Sequence, residues 1–165
     1  MIRKLLEPFS EIWTNPAHQL HPQIVHFPIA FLVIEAVALV VFAFRKQPQI
    51  AFLSLIFLHC ALWTMLLAVL SGLNDVGLDF GAGNRLILGF RDRWENAFRA
   101  QSSITIHVWL AITLVGVTLT RLVWRSLGRE RVLAGICGLA FGLLTLVNFW
   151  VLLAATYVGA SITHK

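Results

Sequence analysis

The chain has 165 residues, of which 58% are hydrophobic and 13% charged, with a formal net charge of +5. Soluble domains carry about 45–50% apolar and about 25% charged residues, so an ordinary soluble domain is excluded and one integral membrane domain is the natural reading. The basic excess is no nucleic-acid signal, because Lys and Arg gather at the ends of apolar runs, where membrane topology accounts for them.

At the N-terminus, Ile2, Leu5, Leu6, Phe9, Ile12 and Trp13 recur at helical spacing among Arg3, Lys4, Glu7 and Glu11. The spacing predicts an amphipathic helix lying in the membrane interface within residues 1–20. The same stretch has no continuous apolar core and no small-residue cleavage site, so it is expected to be retained.

Next comes HPQIVHFPIAFLVIE, from His21 to Glu35. It opens the first apolar run, 24–44, and carries two ionisable groups into it, His26 and Glu35. Such groups are costly at membrane depth and are functional candidates by default. Pro28 removes the N–H that the Ile24 carbonyl would accept, which predicts a loosened backbone around His26.

HPxxVHFPIA followed by an apolar helix resembles the bacterial membrane family catalogued as domain of unknown function 2231. The resemblance extends to SGLND (Ser71 to Asp75), to a third helix opening with His107, and to a Gly-containing segment from Tyr157 to Ser161. Some relatives carry Rieske-type or cytochrome c-like domains, so the resemblance implies a redox setting.

Three more apolar runs follow, 50–73, 104–124 and 132–158, each meeting the ~20 residues needed to cross a hydrocarbon core of ~30 Å. The short links after the first and third runs predict an all-α, up-down-up-down bundle of four transmembrane helices. The longer connection, 74–103, places Leu86, Phe90, Trp94 and Phe98 every fourth residue, predicting a second interfacial helix. The two short links hold Arg45, Lys46, Arg121, Arg125, Arg129 and Arg131 against Glu130. Dense basic links stay cytoplasmic, so both termini and the long connection are expected on the periplasmic side of a bacterial inner membrane.

With that orientation, His26 and His107 both lie ~5 Å below the outer surface, on non-consecutive helices. Facing helices build cofactor sites in this way, and haem iron accepts imidazole nitrogens. The expectation is a b-type haem held by His26 and His107, with Ala155 and Gly159 leaving room for a ring edge and Asp75 placed to orient one imidazole. His18, His21 and His164 share that face, which keeps a zinc or copper site open as a competitor.

Deeper, Glu35 and His59 share a depth of ~14 Å from the inner face, which suggests a buried polar pair, with Asn148 as further polar clasp material. Ala134, Gly138 and Gly142 recur every fourth residue and predict close helix contact, within the bundle or with a second copy. No nucleophile constellation or phosphate loop is visible. The leading expectation is therefore an electron-transfer protein with haem b, partnered by membrane redox subunits or a periplasmic cytochrome. A non-catalytic anchor subunit of a larger complex, or a quinone- or metal-binding protein, remain the alternatives.

Overall fold

A computed structural model describes residues 21–79 and 102–163. The expected interfacial helices, within 1–20 and around 86–98, lie outside the described residues.

A single turn, α1 (His21–Ile24), runs into α2 (His26–Arg45). The helical assignment lapses at Val25, where the missing Pro28 N–H leaves the Ile24 carbonyl unclaimed. At the other end Lys46 adopts a left-handed conformation (φ 54°) and its N–H closes on the Phe42 carbonyl at 2.8 Å. Pro48 then opens α3 (Pro48–Asp79), a first-turn position where its lost donor costs nothing. Helix α4 (Ser102–Gly128) is followed by a 3-10 turn (Arg129–Leu133) and by α5 (Gly135–Thr163). Gly135 has φ +54°, a backbone that L side chains rarely adopt.

Four helical stretches are long and apolar enough to span a membrane: His21–Arg45, Pro48–Leu73, Ile104–Gly128 and Gly135–Ala160. We call them the first to fourth spans. His21, opening the first, contacts Ala68 and Ser71 near the end of the second. His107 reaches Ala155 near the end of the fourth in the same manner. The first and second spans are therefore antiparallel, and so are the third and fourth.

Leu32, Leu58, Leu62, Met65, Leu114 and Leu152 form the core. Phe27, Val37, Phe52, Trp63, Trp109 and Trp150 point outward, as side chains do when the solvent is lipid.

Two expectations are corrected here. Arg121 and Arg125 do not belong to a loop: α4 continues through them, and both are buried. Within the bundle, Ala134, Gly138 and Gly142 do not form one helical contact stripe either. Ala134 is extended, ahead of α5, and a Cβ on Gly138 would come within 2.8 Å of the Leu133 backbone. Gly138 thus makes room for the chain's own turn, while Gly142 has open space beside it.

Candidate functional site

In the first span the buried positions are Pro28, Leu32, Glu35 and Ala38. Their spacing of three and four residues defines one helical face, and His21 lies on it, seven residues before Pro28. His26, two residues before Pro28, is rotated well away. It is exposed, with Nδ1 donating to its own helix at the Pro22 carbonyl, 2.6 Å away.

The structure therefore brings His21, and not His26, to His107. Their ring centroids are 5.9 Å apart and the planes nearly perpendicular, at 86°. Both rings are anchored in the same way. Nδ1 of His21 lies 2.8 Å from the Ala68 carbonyl, and Nδ1 of His107 lies 3.0 Å from that of Ala155. A carbonyl only accepts, so each Nδ1 carries the proton and the neutral ring has its lone pair on Nε2. Ser71, buried, donates to the same Ala68 carbonyl at 2.9 Å.

Each ring also rests on a glycine. A Cβ on Gly72 would lie 3.0 Å from Cε1 and Nδ1 of His21, and one on Gly159 would lie 3.0 Å from Cε1 of His107. Ala155 and Gly159 are thus beside His107 as the sequence suggested, although Ala155 contributes its carbonyl. Of Asp75 only its place in α3 is described. Among the described residues no group of three or more His, Cys, Asp or Glu assembles into a metal-binding set.

Four helical turns deeper, the first and third spans meet again. One guanidinium nitrogen of Arg121, Nη2, bridges both Glu35 carboxylate oxygens at 2.7 Å. The partners are 0% and 1% exposed, so neither is solvated in place of the pairing. The Arg121 guanidinium also sits 5.1 Å from the centroid of the Phe141 ring, a cation–π contact. Arg125, one turn further on, donates to the Ala51 carbonyl at 3.3 Å.

The partner of Glu35 is accordingly Arg121 rather than His59. His59 is exposed and leans on its own helix, with Nδ1 2.8 Å from the Leu55 carbonyl. It follows buried Leu58 and precedes buried Ala61 and Leu62, so its side chain leaves the inward face. Between the two polar levels, Asn148 and Thr118 exchange hydrogen bonds of 3.1 and 3.2 Å across the fourth and third spans. Asn148 is thus a clasp, as its mid-depth position suggested.

A model of predicted membrane proteins, described as domain of unknown function 2231, matches residues 17–164. The chain belongs to this family. No curated protein and no solved structure matches it. The family match encloses both polar levels, from His21 and Glu35 to Arg121 and Gly159. The family's HPxxVHFP stretch thus supplies His21 to the bundle interior and His26 to the outward face. Arg121 escaped the sequence reading because it lies near a cluster of basic residues, yet it follows His107 by the same fourteen residues that separate Glu35 from His21.

Proposed function

We propose that this family member is a membrane b-type haem protein that carries electrons near one membrane surface, with His21 and His107 as the two nitrogen donors to iron. The observation that carries the reading is the pair itself: two half-buried imidazoles 5.9 Å apart, each with Nδ1 held by a carbonyl of the neighbouring helix. Metal-binding histidines almost always donate their other ring N–H in this way, which fixes the ring and leaves Nε2 as the ligand. With metal–imidazole bonds of ~2 Å, two rings on one metal atom have centroids ~6 Å apart. The glycines under the rings add a cradle that a Cβ would fill.

Haem supplies a one-electron carrier and asks the protein for two axial groups, which is what this level offers. The chain's own residues hold the rings, exclude water from beneath them with the Leu32, Met65 and Leu114 core, and fix their tautomer. A bare divalent ion on the same two imidazoles is the second reading, favoured by the same centroid distance. For orientation, the inner links keep Arg45, Lys46, Arg129 and Arg131 once Arg121 and Arg125 are assigned to the bundle. They remain short and basic, so we place them in the cytoplasm and the histidine level at the periplasmic side of the inner membrane.

The test is an absorption spectrum of protein purified after expression with ample haem, oxidised and then reduced with dithionite, alongside metal analysis. A six-coordinate b-type spectrum supports the haem reading. Stoichiometric zinc or copper without a Soret band supports the bare ion. Colourless, metal-free protein overturns both in favour of an anchor subunit.

A further inference from the structure

The two histidines are anchored over nearly the same interval: His21 to Ala68 spans 47 residues and His107 to Ala155 spans 48. In both hairpins the glycine beneath the ring follows the anchoring carbonyl by four residues, Gly72 after Ala68 and Gly159 after Ala155. The correspondence continues inward. The 86 residues that separate Glu35 from Arg121 also separate His21 from His107 and Leu32 from Thr118, and the last pair is buried at both positions. In the second and fourth spans one constant interval relates Ser54 to Phe141, Ala61 to Asn148 and Met65 to Leu152, again all buried.

Helical faces repeat every three to four residues, so one coincident buried position means little. Here the histidine, its carbonyl, its glycine and the charged partner all recur in register. The antiparallel order within each hairpin is the same, so the two units are related by an axis along the membrane normal, as in other membrane proteins built from parallel repeats.

We infer that Gly72 and Gly159 are the positioning residues of a duplicated imidazole seat, one copy in each of two repeated helical hairpins. Resting on the reading of His21 and His107 as donors, the inference adds that a metal atom meets two equivalent imidazoles. Each seat has two parts. The carbonyl of Ala68 or Ala155 takes the Nδ1 proton, and the bare backbone of Gly72 or Gly159 lets the ring lie against the helix. Ordinary side-chain contacts begin at about 3.4 Å, so a methyl group placed 3.0 Å from Cε1 makes the ring shift by a few tenths of an ångström against its carbonyl. His26 and His59 have no such seat, since each leans on the helix that carries it.

The experiment uses the full chain in lipid nanodiscs, labelled with 15N-histidine and assigned through His21→Ala and His107→Ala. Nitrogen shifts report the tautomer directly and need no bound metal. Both histidines should show protonated Nδ1 with closely similar shifts. Gly72→Ala should move the His21 signals and leave those of His107 nearly in place, and Gly159→Ala should do the reverse. Because either variant could fold poorly, the paired backgrounds are measured too. Gly72→Ala should lower the thermal midpoint when His21 is present and raise it or leave it unchanged in His21→Ala, where the ring is gone. The inference is overturned if each glycine variant leaves its own histidine unmoved, or if the stability loss persists after the ring is removed. A wild-type protein that binds no metal, yet shows these shifts, ends the haem reading and keeps the seats.

Discussion

The first and third spans meet at two levels, and the levels solve the cost of buried polarity in opposite ways. At the inner level Arg121 satisfies Glu35, with both carboxylate oxygens on one guanidinium nitrogen and Phe141 beside it, while Nε and Nη1 of Arg121 are buried without a hydrogen-bond partner. At the outer level His21 and His107 are tied to other helices, each with Nδ1 on a backbone carbonyl. The inner level is therefore a clasp between the first and third spans, whereas the outer level ties each histidine within its own hairpin.

The largest effect that separates them is at Glu35. Glu35→Leu strands the Arg121 charge inside the bundle, and breaking a buried pair from one side costs about 3–5 kcal/mol. Denaturant unfolding in detergent should show that loss; a cost below ~1 kcal/mol would mean that water or lipid reaches Arg121 and that the clasp is open. Exchanging the charges, Glu35→Arg with Arg121→Glu, should recover most of the stability, because the two positions match in the two hairpins. If the exchange is as damaging as the single change, the correspondence stops short of this level.

Asn148→Leu removes both Thr118–Asn148 bonds, leaving Thr118 only Met65 Sδ, and should cost about 1 kcal/mol, in line with inter-helix hydrogen bonds in membranes, which average ~0.6 and reach ~1.7 kcal/mol. His107→Ala should cost stability a similar or smaller amount while abolishing any axial-ligand spectrum. A reduced spectrum that survives His107→Ala would remove this residue from the site. Smallest of all, His26→Ala and His59→Leu should leave both stability and spectrum within error, since both rings are exposed and bonded to their own helix. Bleaching by His26→Ala would return that residue to the ligand role first expected of it.

Much of this was legible in the sequence. Four apolar runs announced the spans, and their lengths announced that Glu35 lies far below the histidines, although its partner is Arg121 and not His59. What depth alone did not fix was rotation about each helix axis. His26 and His59 were at serviceable depths and on the wrong faces. The phase was nevertheless written in the chain, since His21, Pro28 and Glu35 stand seven residues apart, as do His107, Leu114 and Arg121. A seven-residue interval keeps side chains on one face within ~20°. Gly72 and Gly159 could not be singled out beforehand, because their significance lies in which ring rests on them, a contact across 51 and 52 residues of chain.

Arg121 also bears on how the chain enters a bilayer during synthesis. An arginine near the centre of a helix opposes insertion by about 2.5–3.5 kcal/mol, and it falls in the third span, the least apolar of the four. Its carboxylate partner precedes it by 86 residues, so Glu35 is synthesised before the arginine. The order of the two charges along the chain thus lets the early hairpin serve as an intramolecular receptor for the late one. The opposite order would have sent the arginine in first, without a counter-charge.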